Sequence, residues 1–511
     1  MKKRLLYTLL FCILALNVIP STKSMASELV QPPAAISSGE WAYIPNYPST
    51  GEATIKQYNG KNTDVKVPAT IEGLTVTVVD YDIIATNTSL TSITYPSSVK
   101  KIPHIYDNGD NLKSLNVDPA NTVYSSIDGV LFDKEKKTLL CYPIAKEGTS
   151  YVVPSTVTKI SQYAFYHCTN LSSIKVLSSV TSIGERAFEG CKNLKTVILS
   201  SGLKTIGKQA FWYCEQLEKI NIPNTVKSIQ SYAFAYCYKL KSIKLPNSVT
   251  SIGESTFNAC KGLTSITIPG SVKILKFNTF MGCTSLTSVK LTKGLTTIQG
   301  NAFKGCTNLT SITIPDSVTA IGHYVFEGCK KLTSITIPKS VASIGRGLFR
   351  GCSQLRKIDV SAKNKKFASK DGVLFNKKIT VLYVYPSAKK DTSYKVPSSV
   401  KTIATSAFYG CNNLKTLTVS KKVSVVENGT FTACKKLQTI YFLSGVKKIR
   451  DEFVNCKNLK TLVIPASVKS ILISSKGDGI LSSKAVTIVA PAKSYAVSFA
   501  KKNKIPFKIK K

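Results

Sequence analysis

Residues 306–329 read CTNLTSITIPDSVTAIGHYVFEGC, a stretch that begins and ends on cysteine. Counted from Cys306, apolar side chains stand at +3, +6, +8, +12, +15 and +20: Leu309, Ile312, Ile314, Val318, Ile321 and Phe326. The unit that starts at Cys237 repeats them as Leu240, Ile243, Leu245, Val249, Ile252 and Phe257. Alternation over Ile312-Thr313-Ile314 has the period of a strand, so +6 and +8 point inward while +5 and +7 point outward. Proline just after it, as at Pro246, Pro315 and Pro338, stops the strand, because it has no N–H to give a ladder. The pair at +12 and +15 turns a second apolar side inward, and an aromatic near +20 fills the corner before the next cysteine.

The same unit runs through most of the chain. Cys168, Cys191, Cys214, Cys237, Cys260, Cys283, Cys306, Cys329 and Cys352 are all 23 residues apart, and the pattern resumes at Cys411, Cys434 and Cys456. One such turn buries too few side chains to offset the entropy of ordering its backbone, so neighbours must stack on both of its faces. The predicted fold is a β-rich solenoid, right-handed and curved, with 23-residue turns, short strands, two β-hairpin inserts and terminal caps.

Two units are longer and match each other. Gly109 to Cys168 and Cys352 to Cys411 each span 59 residues, and both carry the same insert, DGVLFDKEKKTLLCYP at 128–143 and DGVLFNKKITVLYVYP at 371–386. Strand, charged turn and second strand predict a β-hairpin that forms an extra rung or projects from one edge. The expected organisation is a signal peptide at 1–26, a flexible leader at 27–39 and capping strands at 40–86. The solenoid follows over 87–473, with long units at 109–167 and 352–410, and 474–511 forms a second cap with a basic tail. Lys2, Lys3 and Arg4, an apolar run and the small residues Ser24 to Ala26 carry the signal-peptide reading. No further apolar segment is long enough to span a bilayer, so the mature protein is expected to be exported and peripheral to the cell surface.

The pattern L-x-x-I-x-I-P-x-x-V-x-x-I-G-x-x-A-F-x-G-C closely resembles the BspA-like leucine-rich repeat family of bacterial surface proteins. The hairpin insert and the ending SYA…FAKKNKIPF are similar to that family too, so the resemblance covers roughly residues 40–511. It implies a leucine-rich-repeat solenoid with a surface-exposed role in adhesion or protein binding. Members often carry further anchoring or enzymatic domains, of which the sequence shows no pattern. No sortase-type sorting signal is read near its end, so attachment is expected to be non-covalent.

The cysteines attract a chemical reading that their spacing does not support. One sulfur per rung forms a line and cannot converge as a tetrahedral zinc site does. Adjacent rungs are near enough for disulfides, but stacked side chains point the same way and the torsion would distort them. Asn87 and Gly109 occupy the cysteine slot in early turns, and Cys141 is matched by Val384 in the second hairpin. The ladder is therefore expected to be a packing feature, with no catalytic residue, metal or cofactor. His104, His167 and His323 stand at unrelated places and read as isolated. No nucleophile elbow, zinc-protease helix or phosphate loop is present; a glycan-active enzyme with a dispersed carboxylate pair is the third-ranked alternative.

Function is expected on the surface. The outward column at +5 and +7 is short and polar, with Ser265, Thr267, Ser311, Thr313, Ser334 and Thr336, punctuated by Lys175, Lys244 and Lys290. It forms either a solvated Ser/Thr ladder or a regular face that meets a protein or glycan. The formal charge is +41, and six of the 69 basic residues are arginine. Lysine suits diffuse attraction to an anionic polymer better than base-specific reading, so no specific nucleic-acid partner is expected. Residues 361–401 hold ten Lys against two Asp, whereas 118–158 hold four Lys against five acids. Lys363, Lys365, Lys366, Lys370, Lys377, Lys378, Lys389 and Lys390 form one candidate basic patch, and Lys501, Lys502, Lys504 and Lys508 another. The expected partners are a protein or glycan ligand, among them host matrix or mucin, or anionic wall polymer. The leading expectation is a non-catalytic adhesion scaffold, with a structural envelope protein as the alternative.

Overall fold

A computed structural model of the chain describes residues 34–46, 51–80, 82–102, 109–426, 429–450, 453–473, 481 and 485–510. The signal-peptide segment 1–26 and His104 lie outside the described residues.

Each repeat is one three-sided turn of a curved solenoid. The first side is the I-x-I strand, with Ser173–Val176 parallel to Thr196–Leu199 and Ser265–Ile268 parallel to Ser288–Leu291. Ser265 lies opposite Ser288 and Ile268 opposite Leu291, so every residue stacks on its counterpart one repeat away. The second side is a two-residue strand, running unbroken through Ser182–Ile183, Thr205–Ile206, Ser228–Ile229 and Ser251–Ile252. The third side has no strand, yet it has its own ladder. Arg186, Phe188 and Gly190 donate their N–H groups to the carbonyls of Lys208, Ala210 and Trp212 in the next turn at 2.7–2.8 Å.

The aromatic corner is continuous from turn to turn. Phe165, Phe188, Phe211, Phe234 and Phe257 stack at centroid distances of 4.7–5.7 Å, and the column runs on through Phe280, Phe303, Phe326 and Phe349. At the first hairpin Tyr142 takes the next place, 5.1 Å from Phe165, and Tyr385 opens a second column on Phe408 at 5.3 Å.

The hairpins are rungs that divide the interior. Val130–Asp133 pairs antiparallel with Thr138–Cys141, which then runs parallel to Lys159–Ile160 as part of the second side. A further strand that the sequence reading did not anticipate, Tyr124–Ile127, covers the other edge of Val130–Asp133. Alternation fails in both VLF triplets because they are buried on both faces. Val130 and Phe132 join the central core while Leu131 joins the N-terminal one; Leu374 joins the central core while Val373 and Phe375 join the C-terminal one. The described residues therefore form three hydrophobic cores stacked end to end, with a hairpin wall at each joint.

A single buried asparagine pins each wall. Asn364 donates to the carbonyls of Pro338 and Val341 at 2.7 and 3.0 Å and accepts from the amides of Lys366 and Phe367 at 2.8 and 2.7 Å. Asn121 makes the same four bonds at the first joint, to Pro96, Val99, Val123 and Tyr124. Replacing Asn364 by Ala strips partners from two amides and two carbonyls inside the protein. The expected loss is about 3 kcal/mol, measured as a fall in the urea midpoint at unchanged slope. Asn364→Asp, which keeps the acceptor and loses the donor, is expected to cost nearly as much.

The ends close the solenoid. At the N-terminus Ile36–Ser38, Trp41–Pro45, Glu52–Tyr58 and Leu74–Val79 form one sheet with Thr70–Ile71 at its edge. Ile36–Ser38 falls inside the stretch expected to be a flexible leader. Pairing with Trp41–Pro45 and a bond from the Ser38 hydroxyl to the Glu72 carboxylate make it a strand instead. A helical turn at Asp82–Ala85, absent from the expectation, buries Ile83 and Ile84. At the other end Thr487–Ala490, a helix at Tyr495–Lys502 and Phe507–Ile509 complete the cap. Ser494 caps the helix by accepting from the Val497 amide, while Lys501 and Lys502 sit in its last turn, where cations complement the helix dipole.

Candidate binding surfaces

The cysteine ladder is interior. Thirteen cysteines are free and buried, including all twelve of the ladder. Burial raises the thiol of Cys329 to about 12 and pushes Cys260, Cys283 and Cys306 up as well, so none of these is a nucleophile near neutral pH. The slot is more than a small apolar volume, however. Cys214, Cys237 and Cys260 donate S–H to the carbonyls of Phe188, Phe211 and Phe234 in the turn before, at 3.1–3.2 Å. Asn87 fits the slot for the same reason, since its amide donates to the carbonyls of Tyr58 and Gly60. In these turns the position holds a compact donor, whereas Gly109 fills it with no side chain at all.

The outward column lies where strand alternation placed it. Ser265 and Thr267 are exposed while Ile266 and Ile268 are buried, and Ser311 and Thr313 flank a buried Ile312. Thr336 is exposed and Ser334 half-buried. The structure gathers these residues around two shallow hollows. The larger, about 590 Å³, is lined by Lys244, Ser265, Thr267, Ser288 and Lys290 among others. The second, about 380 Å³, is lined by Ser311, Thr313, Asp316, Ser334, Thr336 and Ser361. Lys175 stands several turns away, in the Ser173–Val176 strand, and lines neither.

Both hollows sit at breaks in the first-side ladder. No strand forms over 242–245, which meets its neighbour through one bridge, Ser242 to Ser265. The strand Ser311–Thr313 pairs with Ser288–Leu291 but belongs to a different sheet from Ser334–Ile337. Main-chain groups released at such breaks add donors and acceptors to the hydroxyls and the two lysines.

The two basic regions remain apart. Lys363, Lys365, Lys366, Lys370, Lys377, Lys378 and Lys390 are exposed at the second hairpin, whereas Lys389 is half-buried and paired with Asp391 at 2.8 Å. Lys501, Lys502, Lys504 and Lys508 are exposed on the C-terminal cap, with the turns from Cys411 to 473 in between. Lys501 also lies 5.8 Å from the Phe507 ring, so part of that patch is structural.

A third surface went unread in the sequence. On the strandless side, the residue just before each cysteine has left-handed backbone, and glycine fills it at Gly190, Gly282, Gly305, Gly328, Gly351 and Gly410, with φ from 68° to 75°. Ala259, Ala433 and Asn455 hold the same slot at φ 57–59°, and His167, Tyr213 and Tyr236 hold it at φ 55–63° with large rings, a conformation that costs a side-chain-bearing residue about 1 kcal/mol or more. Around them Tyr166 stacks on His167 at 4.3 Å and Tyr213 on Tyr236 at 4.5 Å, while Trp212 meets Tyr213 at 4.8 Å with its ring tilted by 53°. The Arg186 guanidinium lies between Tyr163 and Trp212, 5.7 and 5.9 Å from their rings. His167 is thus one member of an aromatic belt and not the isolated residue that the sequence suggested. His323 lies outside it and accepts from the Arg346 amide at 2.9 Å.

Among the described residues, no group of three or more His, Cys, Asp or Glu is placed to hold a metal ion, and no helix is long and apolar enough to cross a membrane. The three-sided turns and their extended surfaces define a leucine-rich-repeat solenoid, a fold typical of non-catalytic scaffolds. A family model described as a BspA type leucine rich repeat region matches residues 145–264, 252–378 and 383–475, more than half of the chain. The chain belongs to that family. Among solved structures, a leucine-rich repeat protein from Bacteroides ovatus is 20% identical, with 93% of this chain and 100% of that one covered and a TM-score of 0.49. A leucine rich cell surface protein from Faecalibacterium prausnitzii is 22% identical over 87% of this chain and 96% of its own, with a TM-score of 0.40. The pneumococcal vaccine antigen PcpA is 21% identical, covering 94% and 99%, with a TM-score of 0.32. Comparison with curated proteins gives no match.

Proposed function

We propose that this protein is an exported, surface-associated adhesion scaffold whose first-side face binds an anionic glycan. The observation that carries this reading is the larger hollow, where hydroxyls, main-chain groups at a ladder break and the exposed pair Lys244 and Lys290 converge. Hydroxyls and main-chain groups match the many donors and acceptors of a sugar chain, and the lysines supply the charge that selects sulfate or carboxylate.

On a glycan array, sulfated or sialylated chains are expected to bind and their neutral counterparts to bind weakly. The Lys244→Ala/Lys290→Ala variant is expected to lose about tenfold in affinity, since two exposed charge contacts are together worth about 1.4 kcal/mol. Equal binding by variant and parent, or unchanged binding in about 0.5 M salt, would count against this reading, because screening at that strength removes exposed lysine contacts.

The lysine cluster of the second hairpin favours a second reading, a structural envelope role in which exposed lysines from Lys363 to Lys390 hold the chain to anionic wall polymer. Neutralising them is expected to abolish retention on producer cells while leaving glycan-array binding intact.

A further inference from the structure

The aromatic belt lies on the strandless side of the solenoid, away from the sheet face considered above, and needs an explanation of its own. The ladder does not supply one, because later turns complete the same hydrogen bonds with glycine or alanine before the cysteine. Of the four successive turns ending at Cys168, Cys191, Cys214 and Cys237, the second keeps that solution with Gly190. The other three place a histidine or tyrosine where the backbone is left-handed.

The composition points to a contact surface. Tyr, Trp and Arg are the residues that dominate protein–protein interfaces, and Lys is depleted there. In a chain with +41 formal charge carried almost wholly by lysine, the ring-bearing slots of these four turns hold Tyr163, Tyr166, Arg186, Trp212, Tyr213 and Tyr236 and no lysine. The rings are also locked before any partner arrives. Tyr213 and Tyr236 stack at 7°, Arg186 is held over Trp212, and Glu189, buried beneath, holds Arg186 at 3.5 Å. Rigid aromatic area loses little entropy on binding.

Stacking also selects the kind of partner. A sugar ring packs on an open aromatic face, but Tyr213 and Tyr236 each cover one face of the other, and Arg186 lies over Tyr163 and Trp212. Ring edges are the electropositive part of the quadrupole and attract acceptors. Lys261, 4.6 Å from the Tyr238 ring, adds positive charge at the end of the belt.

We propose that the belt is a docking surface for a second protein that presents an acidic, acceptor-rich face. The scaffold would then be two-sided, with its glycan-binding and protein-binding surfaces on different sides of the same turns.

The test is a random peptide library displayed on phage, selected on the full chain and counter-selected on the Tyr213→Gly/Tyr236→Gly variant. Glycine is the resident of that slot in six sister turns, so the variant is expected to keep its fold and circular dichroism. Tyr213→Asn/Tyr236→Asn, with a residue that also tolerates left-handed backbone, is the second pair. The expected result is a set of Asp- and Glu-rich peptides that bind the parent at least about tenfold more tightly than either pair, and that bind the Lys244→Ala/Lys290→Ala variant as well as the parent. Peptides that bind parent and tyrosine variants alike overturn the proposal, as does a selection that yields none able to discriminate them. A glycan-array signal lost in the tyrosine variants assigns the belt to a sugar and overturns it too. So does self-association of the parent in sedimentation that the variants abolish, which assigns the belt to a second copy of this chain.

Discussion

Raising the pH from 7 to about 9.5 is expected to unfold this protein, before its lysines are half titrated at about 10.4. Ten of the buried thiols are held above their ordinary range: Cys141, Cys168, Cys214, Cys237, Cys260, Cys283, Cys306, Cys329, Cys352 and Cys434. Burial is the main cause at all but Cys434, where a bond with Cys411 comes first. An unfolded thiol titrates at about 8.5. Above that pH the unfolded chain has released protons that the folded chain keeps, so the folded state binds more protons and stability falls as pH rises. Each such thiol contributes about 1.4 kcal/mol of loss per pH unit. Ten of them by pH 9.5 amount to on the order of 10 kcal/mol, comparable with the whole stability of a typical domain. Buried tyrosines, among them Tyr142 at about 12, steepen the fall above pH 10. Circular dichroism across a pH series measures the midpoint. The triple variant Cys260→Ala/Cys283→Ala/Cys306→Ala should move it upward, and a midpoint that does not move would refute the account. At pH 8 the native thiols are expected to resist a thiol reagent that modifies them all in denaturant.

Truncating Phe257 to Ala is expected to cost about 4–5 kcal/mol. The side chain is wholly buried and stacks on Phe234 at 5.7 Å and on Phe280 at 5.4 Å. Removing a buried phenylalanine costs about 3–5 kcal/mol through lost transfer energy and the cavity left behind, and two ring contacts go with it. A solenoid holds together through contacts between neighbouring turns, so the damage falls on both interfaces of one rung. Urea denaturation is therefore expected to resolve into two transitions, with the parts on either side of the cavity separating. Phe257→Leu, which refills most of the space, should cost about 1.5 kcal/mol or less and keep a single transition. A single transition in Phe257→Ala with a loss under about 2 kcal/mol would show that the aromatic column is not what joins the turns.

The regular features were legible because they repeat. Ile312, Val318 and Phe326 are read from their counterparts 23 residues away, and strand alternation alone turns Ser311 and Thr313 outward. The hairpins were legible as pairs, since DGVLF occurs twice, but not as walls. Nothing local in Val130-Leu131-Phe132 says that a second core lies behind it. Asn121 and Asn364 stand at the same place, seven residues before each DGVLF, but they are polar and lie in loops, so they read as surface until the four buried partners of each are seen. The thiol of Cys260 reads as volume until the Phe234 carbonyl appears beside it, 26 residues back in sequence.

The candidate surfaces divide along the same line. Periodicity alone placed the column of Ser265, Thr267, Ser311 and Thr313, because inward and outward are set by a two-residue period within one strand. The hollows depend on where pairing between strands fails, a contact between distant segments that no single repeat encodes. The belt depends on backbone handedness. Tyr213 and Tyr236 look like ordinary variation in a turn until φ shows them in glycine's conformation, stacked across a rung that brings residues 23 apart within 4.5 Å. Period and pattern are local and survive in the sequence, whereas strain, breaks and buried partners arise when the turns are laid on one another.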